Sequence, residues 1–426
     1  MDKSTLSNYG WIVIAVLVLS VMIALATPFG QFVESGVKST TQGLFDVQQK
    51  ALGTVGLNIG NQNFGDTEGG GGSGSEPVVP GYNHDAPELH PNDGTTPTIN
   101  TVYTTEDYEY CYCAYWNGSR WQIKGDMNGW GVRVLDKTKS EYSPILESIN
   151  GKPVTYIYST FSGCSSLVNA PVMPRNAVDM TNAFSDCVSL KTIPNIPQGV
   201  TTLYNTFKGC RTITSYEGSS AANGDFSGYV IPEGVINMTG TFREANLVIA
   251  PAVPSTVVTL NYTFYNNTRL TTAPIIPNGV TSMENAFTAC SMLTTYHGST
   301  AANGDFSGWV IPGTVTTISN AFQATGIKVA PHLSEGIQNI SMAFANNQNI
   351  ITAGTIPSTV TNMQSAFANC RNLSGTVVIN ANPTSYNAAF MVANGTAPQL
   401  TVTGSSTMLN AFTNDSVGGY RVIVVG

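Results

Sequence analysis

The chain has 426 residues, a formal net charge of −8 and only 10% charged residues, against about 25% in an ordinary soluble domain. It has no Lys/Arg run able to neutralise a phosphate backbone, so nucleic acid is not an expected partner. Its seven cysteines give neither an even disulfide framework nor paired zinc ligands, and Thr, Asn, Ser and Gly fill the surface positions, as in extracellular, non-enzymatic repeat proteins.

Residues 1–56 come first. Trp11 to Ala26 reads WIVIAVLVLSVMIALA, with no charge, slightly long for a signal-peptide core and slightly short for a spanning helix. Phe29, Phe32, Val33, Val37 and Leu44 continue mostly at helical intervals, which predicts an amphipathic helix bent from the apolar one near Pro28 and Gly30. A polar leader ending at Gly10, then an apolar helix running into an amphipathic one, resembles the amino-terminal region of type IV pilins. That resemblance implies cleavage after Gly10, with Trp11, Phe29, Phe32, Val33, Val37 and Leu44 on an assembly helix that forms a homo-oligomer. Ala15 stands where those proteins carry Glu. A plain membrane anchor and a signal peptide cut after Ala26 remain open beside it, and all three export the remainder.

Residues 57–100 include Glu68-Gly-Gly-Gly-Gly-Ser-Gly-Ser-Glu76 followed by prolines and acids, a flexible tether with too little apolar surface to fold. No metal is expected at His84, Asp85, Glu88 and His90 within it. Residues 101–151 switch to aromatic alternation, with Tyr108, Tyr110 and Tyr112 on one face and Cys111 and Cys113 on the other. Asn117-Gly118 then signals a hairpin. The preferred reading is a β-rich cap that shields the end of a repeat array. A sugar-stacking face near Trp116, Trp121 and Trp130 is the alternative, and Ser140 to Ile149 is read as a short helix.

Residues 152–426 carry the main signal. Phe161, Phe184, Phe207, Phe242, Phe264, Phe287, Phe322, Phe344, Phe367, Phe390 and Phe412 recur at steps of 22 or 23 residues, with two of 35. Such a period is one solenoid coil, which gains a core only by stacking on its neighbours. An aliphatic residue sits four positions before nearly every Phe, as at Met180, Leu203 and Met283, and Ala or Thr directly precedes it. Ile196-Pro197-Gln198-Gly199 and its relatives mark corners. Cys164, Cys187, Cys210, Cys290 and Cys370 each lie three residues after a Phe and read as small buried apolar residues, with pairing among Cys164, Cys187 and Cys210 left open.

Phe-Ser-Gly-Cys-Ser-Ser-Leu at 161 to 167, Phe-Ser-Asp-Cys-Val-Ser-Leu at 184 to 190 and the Ile-Pro-x-Gly-Val corners resemble the BspA-type leucine-rich repeats of bacterial surface proteins. The resemblance implies a mainly β, leucine-rich-repeat-like right-handed solenoid of about eleven coils. It also implies a secreted or surface-attached protein that binds a host or bacterial surface protein or glycan.

Gly218 to Pro232 matches Gly298 to Pro312 at 13 of 15 positions. Both segments are insertions that account for the long steps, and such insertions emerge on one side of a solenoid and often bind. Asn223, Asp225, Tyr229, Asn303, Asp305 and Trp309 are therefore the candidate ligand contacts, on loops three coils and roughly 14 Å apart. Tyr229 and Trp309 are read equally as exposed contacts or as packing beneath the loop. Calcium there has too few oxygen ligands. The array's two histidines, His297 and His332, fall on different coils, so neither catalysis nor a cofactor is expected. The leading function is adhesion or recognition at the cell surface, with a pilin-like filament subunit as the alternative.

Overall fold

The computed structural model describes residues 96–221, 223–392, 400–406 and 423–425. The expected amino-terminal helix, with its readings at Trp11, Phe29, Phe32, Val33, Val37 and Leu44, lies outside these residues, as do most of the tether and Phe412. Among the described residues no helix is long and apolar enough to cross a membrane.

Each coil is shaped by two left-handed residues that bracket its Phe. Asn182 (φ 53°) and Asp186 (φ 61°) flank Phe184, and Asn205 (φ 52°) and Gly209 (φ 74°) flank Phe207. Asn and Gly tolerate this region best, and the paired turns drive the ring inward. Ten rings, from Phe161 to Phe390, stack with centroids 5.0–6.0 Å apart and planes 6–18° from parallel. The aliphatic residue four positions earlier is buried at Ile157, Met180, Leu203, Met238 and Leu260. The corners close as expected, Pro197 O accepting Val200 N at 3.1 Å and Pro277 O accepting Val280 N at 3.2 Å.

Two small positions in the coil carry hydrogen bonds between coils. The Thr before the Phe donates to the carbonyl of the preceding coil's aliphatic residue: Thr206 to Met180 at 2.9 Å, Thr241 to Leu203 at 2.9 Å and Thr263 to Met238 at 2.8 Å. The cysteine is likewise more than an apolar filler. Cys187, Cys210, Cys290 and Cys370 donate S–H to the carbonyls of Phe161, Phe184, Phe264 and Phe344 at 3.0–3.1 Å.

Asparagine replaces the thiol at Asn267 and Asn347, whose Nδ2 donates to Phe242 O at 2.6 Å and Phe322 O at 2.7 Å. The coils beneath these two asparagines are one residue shorter, 22 rather than 23. The amide oxygens take up backbone N–H groups there, Leu247 at 3.0 Å and Thr325. A buried N–H without a partner is costly, so the side chain with both a donor and an acceptor sits where the shorter coil needs both. All seven cysteines are free and buried. Burial pushes the Cys164 thiol up to about 11 and the Cys290 thiol up to about 12, which suits a neutral S–H donor at Cys290.

Most of the array's backbone pairing falls in two parallel ladders, beside shorter parallel pairings such as Val310–Ile311 with His332–Leu333 and Thr355–Ile356 with Val378–Ile379. The first runs through Tyr156, Asp179, Thr202, Asn237, Thr259, Ser282, Thr317, Asn339, Asn362 and Ser385. The second runs through Asn169, Thr192 and Ser215, then Asp225, Ile249, Thr272 and Thr295, then Asp305, Val329 and Thr352. Its segments are joined where Gly224 N donates to Thr214 O at 2.8 Å and Gly304 N to Thr294 O at 2.7 Å. Each insertion therefore adds a rung to the second ladder alone. Ten rungs stand there beside the eight rings from Phe161 to Phe344.

The cap uses seven strands, β1 (Val102–Thr104), β2 (Tyr108–Tyr112), β3 (Ala114–Trp116), β4 (Trp121–Ile123), β5 (Trp130–Val134), β6 (Ser148–Ile149) and β7 (Lys152–Tyr156). One sheet has the order β1-β2-β5-β7-β6, and β3 and β4 form a separate antiparallel hairpin with Trp116 opposite Trp121. The aromatic run is thus split at Cys113 (φ 54°), and the hairpin follows β3 rather than the tyrosine strand. β5 and β7 are parallel, and Tyr156 of β7 starts the first ladder. Val132 O accepts the Thr160 hydroxyl at 2.8 Å, as an aliphatic residue of the array would.

The expected helix at Ser140 to Ile149 is not formed. That segment runs extended along the second ladder, Ser140 O accepting Val168 N at 3.1 Å and Ile145 N donating to Val172 O at 3.2 Å. Pro144 suits this backbone because it lacks the N–H a helix interior needs. Asp107 fixes the same stretch by accepting Ser143 N and Oγ at 2.7 Å and Lys139 Nζ at 2.6 Å.

Candidate binding surfaces

The twin insertions are built alike because their architecture demands it. Ser219 Oγ accepts Ala221 N at 3.1 Å and Ser299 Oγ accepts Ala301 N at 3.2 Å. Asp225 and Asp305 accept Ser227 N and Ser307 N at 2.9 and 2.8 Å. Gly224 and Gly304 adopt φ 81° and 89°, and a Cβ on either would lie within 2.8 Å of the Val248 or Lys328 side chain. A Cβ on Gly228 or Gly308 would lie 2.7 Å from the Tyr216 or Tyr296 hydroxyl. Much of the sequence identity between the loops therefore maintains their fold.

Two of the six candidate contacts must be withdrawn. Tyr229 and Trp309 are 2% and 1% exposed, wedged against Tyr216, Phe226 and Phe242 in the first loop and Tyr296, Phe306 and Phe322 in the second. The Tyr229 hydroxyl donates to Pro194 O at 2.7 Å, whereas Trp309 Nε1 has no partner. Each ring fills the space that the additional rung opens. Asn223 and Asn303 are exposed and Asp225 and Asp305 half-buried. The estimated spacing also changes, because Asp225, Ile249, Thr272, Thr295 and Asp305 make four steps, or roughly 19 Å.

No group of three or more His, Cys, Asp and Glu side chains able to hold a metal occurs among the described residues. His297 Nε2 lies 2.9 Å from Ala250 O at the edge of an open depression of about 310 Å³. Glu233, Ala252, Val253, Ser255, Ile275 and Pro277 complete its lining. The Glu233 carboxylate is engaged there, accepting Ser255 N at 3.1 Å and Ser255 Oγ at 2.9 Å.

The tyrosine face expected at the cap is interior. Tyr108, Tyr110 and Tyr112 are buried together with Cys111 and Cys113, and Tyr108 meets Phe161 edge-on at 6.1 Å. Trp130 donates to Ile149 O at 3.0 Å. Trp121 donates to Glu109 at 2.7 Å, and the Arg133 guanidinium covers Trp116 at 4.8 Å. Tyr108 thereby ties the cap to the first ring of the array, while the tryptophans are bonded within the cap.

A different set of tyrosines reaches solvent where the cap meets the first ladder. Tyr115 of β3 packs on Tyr158 at 4.9 Å and on Tyr156 at 6.4 Å. Lys124 Nζ lies 3.3 Å from the Tyr156 hydroxyl. Tyr204, two coils on from Tyr158, is 40% exposed. Burial and the nearby Asp179 charge push the Tyr158 phenol up, against a hydrogen bond with Asn182 that lowers it. Sequence reading missed this group because Tyr115 sits beyond the hairpin break and Tyr204 lies two coils on from Tyr156 and Tyr158.

The description "BspA type Leucine rich repeat region" matches the chain in six copies, over residues 141–223, 228–305 and 300–415. No curated protein matches the chain. Among solved structures, it is similar to a leucine-rich repeat protein from Bacteroides ovatus at TM-score 0.42 and 14% identity, covering 71% of this chain and 78% of that one. It is similar to a leucine rich cell surface protein from Faecalibacterium prausnitzii at TM-score 0.40 and 17% identity, covering 78% and 96%. The pneumococcal vaccine antigen PcpA gives TM-score 0.31 and 12% identity, covering 78% and 100%. The six matched copies run through the same coils that carry the stacked Phe rings, the Thr and Cys/Asn bonds and both ladders, and the chain belongs to the BspA-type leucine-rich repeat family.

Proposed function

We propose that the chain is a non-enzymatic, surface-exposed bacterial protein whose array recognises or adheres to a protein or glycan surface, with residues 1–56 as its means of export and attachment. The observation behind this reading is the contrast between columns of the coil. The inward Phe is constant, while the position three residues before it varies through Tyr158, Tyr204, Thr239, Asn261 and Glu284, all at least partly exposed. A scaffold that keeps its core and varies its face suits recognition. Family membership supports surface display. The filament-subunit alternative gains nothing from the family match or from the similar structures.

The test is to express the full chain in a bacterial host and measure adhesion to immobilised matrix proteins, mucin and polysaccharides. Adhesion above that of the host without the chain is expected. A surface-exposed chain that binds nothing in that panel would remove the recognition reading.

A further inference from the structure

We propose that Tyr115, Tyr156, Tyr158 and Tyr204, with Lys124 and Asp179, form a binding face for a neutral pyranose chain. This deepens the recognition reading and rests on it. The coil does not require aromatic residues in this column, because the position of Tyr158 and Tyr204 is filled elsewhere by Thr181, Thr239, Ser319 and Ser341. Those coils keep the same buried Phe and the same ladder pairing. Large rings held partly open to water need another cause.

The geometry favours sugar. Tyr115 and Tyr158 meet at 4.9 Å with planes 48° apart, which braces both rings with little freedom left to lose on binding. Tyr158 and Tyr204 are separated by two ladder steps, roughly 10 Å, with Thr181 between them. Two platforms at that separation suit an extended chain better than a single small molecule. Tyrosine offers a ring face to the C–H face of a pyranose and a hydroxyl to its edge.

Charge selects among glycans. The cation at Lys124 faces two carboxylates, Asp126 and Asp179, so the patch carries no surplus of positive charge to attract a sulfated or uronic acid polymer. Asp179 also accepts Thr181 N at 2.8 Å, which fixes the carboxylate beside Tyr158. A fixed carboxylate and an ammonium supply the acceptor and donor that neutral hydroxyls need.

The test is native affinity electrophoresis of the full chain, in a non-ionic detergent without a sugar headgroup, through gels holding hydroxyethyl cellulose, xylan, mannan or the acidic polymer alginate. Retardation by at least one neutral polymer and none by alginate is expected. The Y158T/Y204T double variant should bind about tenfold or more weakly, with an unchanged melting temperature, and Y204F should retain binding. Should the double variant melt lower, the single exposed-position variant Y204T carries the test and should still weaken retardation. Absence of retardation in every neutral gel, preference for alginate, or undiminished retardation of the tyrosine variants would overturn the proposal. Adhesion of the same full chain to matrix protein without any neutral-polymer retardation would sink the glycan site and leave the broader recognition reading standing.

Discussion

The cap and the array solve the same problem, an exposed edge of packed chain, by opposite means. The cap is held by individual contacts between unlike groups: Glu109 with Arg133 at 2.7 Å, Asp107 with Lys139 at 2.6 Å and the Glu147 carboxylate on Arg175 N at 2.8 Å. The array repeats a few neutral contacts, a stacked ring, a Thr hydroxyl and a Cys or Asn donor, coil after coil. A repeated neutral contact needs no distant partner, since the coil before and the coil after supply it. A terminal sheet sees a neighbour on one side only, and charged side chains complete its other connections.

The largest effect expected from this contrast lies in the array. Phe264→Ala removes a ring stacked on both Phe242 and Phe287 and should cost about 3–5 kcal/mol. Because each coil touches only its neighbours, hydrogen exchange should rise on both flanking coils while the cap stays protected. Equal loss of protection in the cap would mean that the two regions unfold as one.

A smaller effect separates the two donors at one column. Asn267→Ala should cost about 1–3 kcal/mol, because it strands Leu247 N as well as Phe242 O. Cys290→Ala removes only one weak S–H bond and should cost less by chemical denaturation. Equal costs would mean that the shorter coil places no special demand on its neighbour.

The smallest effect distinguishes the regions by acid. Burial raises the Asp107 carboxyl, but hydrogen bonds from Lys139 and Ser143 outweigh it and hold it below the usual range. The Arg133 bond chiefly, with help from Trp121, lowers Glu109 against its burial. Depressed carboxylates contribute stability above their unfolded values of about 4 and lose it as pH falls through the folded values. Below about pH 4 the cap should therefore loosen first, seen as a change in tryptophan fluorescence, while hydrogen exchange in the central coils stays level. A central array that loosens together with the cap would contradict this order.

The stacked rings and the corners were legible in the sequence because burial every 22 or 23 residues leaves a period. Asn267 and Asn347 were legible only in part. They occupy the cysteine column, yet their purpose depends on a one-residue shortening of another coil, which is apparent only once hydrogen bonds are traced. The insertions misled for a physical reason, since twelve or thirteen polar and small residues read as loop whether or not the backbone inside them pairs. Tyr229 and Trp309 look alike as surface or wedge until the additional rung shows the space they fill. Tyr204 left no signal, because a surface position has no period to break.

The surplus of rungs on one ladder has a mechanical outcome. Two steps present on one side and missing on the other leave roughly 10 Å of path difference, and a stack of coils takes up such a difference by arcing toward its shorter side. Each copy of the duplicated 80-residue block carries one such additional rung and would contribute an equal increment of bend toward the first ladder. Copying or deleting that block would change the total angle through which the array turns while leaving the residues of the remaining coils as they are.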